Sequence, residues 1–317
     1  MGSSLSDKLY GTVYARVGLR FNPFASLSSE GIPSVEEVHV PLPVDRVIIG
    51  KVDKLLKGQV DKLVMAIIGP LGMGKTERLR LIQNYAKKAG GKAVLVKVDS
   101  PDIESVTEAI ISSVFSARPG KALISALKGV FRRKKERGRK IEERYKPEEY
   151  AKSLAWAISG SRGFLLLLDE LENIMPAPVT HRKLFFSFLT RFLELVPPFN
   201  GLVFACVTDA FTTLKLLHKE LLKHLTDEVL LKPLSADDCV RIAMKRIEKA
   251  RVNGFKAKDP LYPFELEALY VANKVAGGNP REFVKILKLA LSSMVTSPNV
   301  SIIDKDYILS LTGYKKL

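Results

Sequence analysis

The stretch Ile67–Leu79, IIGPLGMGKTERL, decides the fold. Two apolar residues run into a glycine-rich turn, then Lys75 and Thr76, then a segment of helical character. Gly69, Pro70, Leu71, Gly72, Met73, Gly74, Lys75 and Thr76 satisfy the pattern G-x-x-x-x-G-K-[ST] at every position. The glycines let backbone amides turn inward around phosphate oxygens. The N-terminus of the following helix adds the positive end of its dipole. Lys75 is placed to reach the β- and γ-phosphates of a nucleoside triphosphate, and Thr76 to ligate Mg²⁺. The apolar run Lys62–Gly69 reads as a buried strand and Glu77–Ala89 as a helix, which is the context the motif requires.

Outward from this loop, Val44–Leu63 has room for one helix with Val52, Leu55, Leu56 and Val60 on a face. Further strands are expected at Lys92–Ser100, Arg162–Leu171, Gly201–Ala210 and, more weakly, Glu228–Ser235. A helix is expected over Pro101–Ala117, with Ser100 as cap and Pro101 in the first position. Helical patterns between apolar strands argue for parallel βα units covered on both faces. After Pro233 the pattern turns helical. Ser235 reads as an N-cap with Asp238 in the capping-box place. Val240, Ala243, Met244 and Ile247 then recur at helical spacing, as do Phe283, Ile286, Leu287, Ala290, Leu291 and Met294. Only Val300–Ile303 offers another strand. The expected division is an N-terminal lead-in over 1–42, an α/β nucleotide-binding domain over 43–233 and a helical domain over 234–317.

The strand Leu165-Leu166-Leu167-Leu168 ends in Asp169-Glu170. In open α/β sheets ligands bind at the carboxyl ends of strands. Asp169 is placed to hold Mg²⁺, and Glu170 to orient and polarise an attacking water, which favours hydrolysis over phosphoryl transfer. Glu172 is a less well-placed alternative base. Thr208, where the fourth apolar strand stops in CVTDA, either bonds the γ-phosphate or its water or is an ordinary strand-end threonine. Asp209 fits an Asx turn. In GGNPREFVKI, Asn279 caps a helix, Pro280 suits its first position and Arg281 lies in its first turn. A cation there opposes the helix dipole, and a bound phosphate would compensate it.

The chain has 317 residues, is 46% hydrophobic and carries a net charge of +16. That balance fits a polyanionic partner, most simply nucleic acid; a solvated lysine-rich surface fits it equally. FRRKKERGRK (Phe131–Lys140) holds seven basic residues and one acidic one. Arg132, Arg133, Lys134, Lys135, Arg137, Arg139 and Lys140 are candidate DNA phosphate contacts, or else a solvated insertion. Two cysteines, Cys206 and Cys239, give no metal spacing and no disulfide framework, which fits a reducing cytoplasm. No apolar run approaches the ~20 residues of a membrane span, and the N-terminus has no secretory apolar core.

Taken together, these motifs resemble AAA+ ATPases, closest to the origin-recognition and cell-division-control replication initiators of archaea and eukaryotes. Gly69–Thr76 corresponds to the Walker A loop and Leu165–Glu170 to Walker B. Thr208 falls at the sensor 1 position and Arg281 at the sensor 2 arginine. Asn22–Phe24 and Pro43–Ile48 resemble the lead-in segments that line the adenine pocket. The resemblance implies a P-loop NTPase with a five-stranded parallel sheet, order 5-1-4-3-2, and a small helical lid. It also implies ATP or ADP with Mg²⁺ as ligands, and slow ATP hydrolysis with Lys75, Glu170, Thr208 and Arg281 as catalytic residues.

Two departures stand out. The initiators continue into a DNA-gripping winged-helix domain, and a counterpart is not expected in this sequence. Where their arginine finger stands, Lys215–Val229 offers Lys219 and Lys223, which lack the bidentate fork; Arg191 is a substitute. DNA is the expected partner, with a homo-oligomer or partner ATPase as the further expectation and no membrane. The competing readings are an ATP-dependent helper of DNA transposition or a mobile element, a nucleotide-gated signalling switch with protein partners, and a nucleotide-bound module without turnover.

Overall fold

The structure is a computed structural model that describes residues 13–26, 39–117, 141–257, 259–297 and 299–313. The chain forms two compact units.

The first comprises Pro43–Leu71 and the described parts of Lys75–Leu231. Its five strands are β1 (Lys62–Ile68), β2 (Lys92–Lys97), β3 (Phe164–Asp169), β4 (Asn200–Cys206) and β5 (Asp227–Leu230), in the order β2-β3-β4-β1-β5 with every pairing parallel. This is the order the resemblance implies, read from the other edge. β3 and β4 are buried along their whole length, whereas the edge strands β2 and β5 alternate or are half exposed. Central strands of a parallel sheet are covered on both faces and therefore read as continuous apolar runs. The covering helices are α1 (Pro43–Leu56), α2 (Lys75–Lys88), α3 (Ile103–Ser116), α4 (Ile141–Arg144), α5 (Pro147–Ala157), α6 (Val179–Leu195), α7 (Thr208–Leu217) and α8 (Lys219–Leu222). α6 alone buries Phe185, Phe186, Phe188 and Phe192 in the core.

Three buried polar side chains tie parts of this unit together. Asn200 is fully buried at the start of β4. Its Oδ1 accepts from the Phe164 amide at 2.8 Å, and its Nδ2 donates to the carbonyls of Ser161, Pro197 and Pro198 at 3.1 Å. One side chain thus ties the starts of β3 and β4. Asp45 of α1 pairs with Arg78 of α2 at 3.0 Å, both almost wholly buried.

The second unit comprises the described parts of Met1–Leu42, with Gly72–Gly74 and Lys232–Leu317. Its helices are α9 (Ala236–Ala250), α10 (Leu266–Val275), α11 (Pro280–Thr296) and α12 (Lys305–Thr312). Ser235 caps α9 in a full capping box with Asp238, and Asn279 caps α11 with Pro280 at its start. The N-terminal segment packs on these helices. The Arg20 amide donates to Ala250 O at 2.8 Å, and the Arg16 guanidinium caps the end of α11 through the carbonyls of Met294, Ser297 and Val300. Asn22 is buried, donating to Ser292 Oγ at 3.1 Å, and Phe24 meets Phe264 edge-on at 5.6 Å.

Several boundaries differ from the sequence expectation. α3 starts at Ile103, because Asp102, not Ser100, accepts from the Glu104 amide. α1 stops at Leu56, ahead of Gly58 in the left-handed region (φ +70°). The fifth strand ends at Leu230 and never reaches Pro233, which has no amide to give a ladder. Val300–Ile303 forms no strand. Ile303 makes a single bridge to Phe264, and Asp304 then caps α12, a helix the pattern reading passed over. Asp209 lies in the first turn of α7 rather than in an Asx turn.

Asn200→Ala leaves the Phe164 amide and three carbonyls without their partner, so it is expected to cost about 2–3 kcal/mol, read as a lower urea midpoint with an unchanged m-value.

Candidate phosphate-binding site

β1 ends at Ile68, and the loop that follows turns sharply enough for α2 to begin at Lys75. Gly72 and Gly74 sit at φ +85° and +84°, a region only glycine adopts without strain. Lys75 is 7% exposed and folds back over its own loop. Its Nζ donates to Gly69 O at 2.8 Å and to Pro70 O at 3.1 Å. The ammonium is thereby held against its own loop, at the N-terminal end of a 14-residue helix.

The parallel register brings a second set of groups to the same edge of the sheet. Asp169 is the last residue of β3 and 3% exposed. Burial pushes its carboxyl up from the ordinary range. A hydrogen bond from the Thr76 side chain, the Glu170 amide at 3.0 Å and the Lys97 charge pull it back, while the Glu170 charge adds to the rise. Thr76 and Asp169, expected to share Mg²⁺, are therefore in contact. Among the described residues no cluster of three or more His, Cys, Asp or Glu forms a metal cage. One hydroxyl and one carboxylate suit Mg²⁺, which takes few protein oxygens and fills its octahedron with water and substrate phosphate.

Glu170 has left-handed backbone (φ 55°) and turns its side chain toward β2. Lys97 Nζ lies 3.1 Å from Oε1, and Asn173 Nδ2 donates to Oε2 at 3.2 Å and to Val98 O at 2.8 Å. Neither partner was singled out in the sequence. Lys97 is the β2 residue in register with Asp169, so its approach follows from strand pairing. Glu172, on the 3-10 turn Leu171–Ile174, is part-buried with its carboxyl pushed up, by burial first and by the Glu170 charge. Its own amide, the Lys75 charge and the Val207 amide oppose the rise.

The remaining candidates are placed differently. β4 ends at Cys206, whose thiol burial pushes up to about 12. Thr208 is the exposed first residue of α7 rather than the end of the strand. Arg191 is engaged by Glu148 at 3.1 Å and by Glu194 at 2.5 Å, and Lys223 pairs with Glu220. Arg281 lies exposed in the first turn of α11, its amide donating to Asn279 Oδ1 at 3.0 Å. Gly72–Gly74 cluster with that helical unit, where a Cβ on Gly72 would stand 2.6 Å from Asn279 Oδ1 and 3.0 Å from Arg281 Cβ. Arg132, Arg133, Lys134, Lys135, Arg137, Arg139 and Lys140 lie outside the described residues. The helical unit also has a cavity of about 440 Å³ lined by Phe255, Tyr262 and Phe264 among others; none of the candidate site residues lines it. No described helix is long and apolar enough to cross a membrane.

No protein-family model matches the chain, and no curated protein does. Solved structures do. The Aeropyrum pernix ORC1 protein in complex with DNA aligns at TM-score 0.56 and 17% identity, over 87% of this chain and 66% of that one. Cdc6p from Pyrobaculum aerophilum aligns at TM-score 0.56 and 17% identity, over 84% and 65%. A point variant of Thermotoga maritima RuvB aligns at TM-score 0.50 and 17% identity, over 92% and 72%. The chain thus spans just under two thirds of the Orc1 and Cdc6 chains. At such identity the likeness is one of fold: this chain has the five-stranded P-loop fold of the AAA+ proteins of the Orc1/Cdc6 and RuvB kind.

Burial opposes ionisation of Asp169, so the charged carboxylate costs stability at neutral pH. That cost disappears as pH falls and the group takes up its proton in the folded state. Asp169→Asn is therefore expected to raise the stability of the ligand-free protein by about 1 kcal/mol at pH 7. The gain should shrink on acidification, as read by urea denaturation at a series of pH values.

Proposed function

We propose that the chain is an AAA+ ATPase that binds ATP with Mg²⁺, hydrolyses it slowly and acts on DNA in the manner of a replication initiator. The observation that carries this reading is the contact of Thr76 with Asp169 beside the buried Lys75, at the carboxyl edge of a parallel sheet. In this reading the amides of Gly69–Gly74 and the start of α2 bind the phosphates, and Lys75 reaches the terminal ones. Thr76 and Asp169 hold Mg²⁺, which when bound neutralises charge on the phosphates. Glu170 orients the attacking water and takes its proton. Its engagement by Lys97 and Asn173 supports slow turnover, since the base must leave both partners to meet the water. Arg281, in the first turn of α11, supplies a cation to the phosphates from the helical unit, and Thr208 a hydroxyl. The domain division at about residue 233 follows from the same reading.

The proposed DNA partner rests on the net charge of +16 and on the basic segment Arg132–Lys140. The Orc1 neighbour was solved bound to DNA, which lends the fold-level analogy support.

Lys75→Ala is expected to reduce ATP binding at least 100-fold. Glu170→Gln should bind ATP as the parent does while phosphate release falls about 100-fold or more; a Glu170→Gln protein that turns over normally removes Glu170 from the role of base. DNA affinity should fall linearly in log–log form with salt. Neutralising Arg132–Lys140 should flatten that slope; an unchanged slope places the DNA contacts elsewhere, and no binding at low salt discards DNA as partner.

A further inference from the structure

The phosphate-site reading uses Asp169 and Glu170 and leaves Glu172 idle, yet Glu172 is the acid whose carboxyl feels Lys75. The turn that carries it packs on β4 and α7. Its Oε2 is buried and has no hydrogen-bond partner among the described residues. Lys75 reaches the same corner by an independent route. Its Nζ bonds Gly69 O at 2.8 Å, and the Gly69 amide donates to Cys206 O at 3.3 Å, one residue before Val207. The Cys206 thiol, at that strand end, feels both Glu172 and Lys75.

A buried carboxylate with a vacant acceptor atom, at the same strand end as the lysine that is to hold a polyphosphate, competes with the ligand for the charge of that lysine. We infer that Glu172 is the internal counter-anion of Lys75 and limits the affinity of the site for nucleoside di- and triphosphates. The inference rests on the phosphate-site reading. In the empty site the Glu172 carboxylate compensates the ammonium. When a β-phosphate arrives, two anions share one cation, and their repulsion in a partly desolvated corner weakens binding and hastens release. Glu172 is a positioning residue here: it acts through Lys75 and does not touch the reacting atoms.

The test titrates wild type, Glu172→Gln and the charge-keeping Glu172→Asp with AMP, ADP and the slowly hydrolysed ATPγS in a fluorescence-displacement assay. Glu172→Gln should bind ADP and ATPγS about tenfold tighter than wild type, with ADP dissociation slowed by about the same factor. Its affinity for AMP, which lacks the phosphates that reach Lys75, should stay within about twofold, and Glu172→Asp should stay within about threefold for all three ligands. Glu172→Met, a second neutral variant of similar length, reports the same sign should the Gln variant fail to fold. Unchanged or weaker ADP binding in the neutral variants overturns the inference. So does equal tightening for all three ligands, which marks a packing effect. If wild type binds none of the three nucleotides, the phosphate-site reading itself falls and takes this inference with it.

Discussion

The parallel register of five strands, covered on both faces, is the constraint on which the rest depends. It puts the carboxyl ends of β1, β3 and β4 along one edge, so that residues far apart in sequence meet there. The central pairing is tight. A Cβ on Gly201 would stand 2.2 Å from Leu63 O, so only glycine lets β4 lie this close to β1. At the opposite edge Asn200 spends both amide hydrogens and one acceptor position on the segments that open β3 and β4. A buried amide so fully satisfied specifies one register, because a slip of one residue would strand four polar groups.

What the sheet supplies at its carboxyl edge is a set of ends, and the chemistry comes from what each end carries. β1 delivers a loop with two left-handed glycines that leads directly into a helix. β3 delivers acids, β2 delivers Lys97 and β4 delivers the Val207 amide. None of these groups lies on a long excursion. Each ends its strand or follows it by a few residues, so a rigid core fixes its position, which is what a preorganised charged site requires.

The parts of this arrangement that sequence made legible are those whose physics is local. A glycine-rich turn between an apolar run and a helix, the capping pairs Ser235–Asp238 and Asn279–Pro280, and the four-leucine strand all declare themselves within a few residues. Where two local signals compete, as Ser100 and Asp102 do at the start of α3, pattern alone picks the wrong one. Ser100 instead accepts from the Asp102 amide and so sets up the true cap. The partners of Glu170 were out of reach for a different reason. Lys97 meets it only because β2 and β3 pair at that register, and Asn173 bonds Val98 across 75 residues of chain. The strand order came from the family resemblance, since periodicity says that strands exist and not which are neighbours.

Asp169, Glu170 and Glu172 fall within four residues of a chain whose net charge is +16, and the fold gives each a different set of partners. Asp169 accepts from the Thr76 side chain and a backbone amide. Glu170 is drawn to the edge of the sheet by an exposed lysine and an asparagine. Glu172 lies toward the buried lysine of the loop. Three like charges this close would repel strongly if they shared one environment. Separated by the strand end, the left-handed turn at Glu170 and one turn of 3-10 helix, each meets a different counter-group and so has a different proton affinity and a different freedom to move. The left-handed residue is what makes this separation possible. It breaks the extended strand immediately after Asp169 and opens the 3-10 turn, so that Glu170 and Glu172 meet different partners, and that use accounts for the strain of a non-glycine residue at φ 55°.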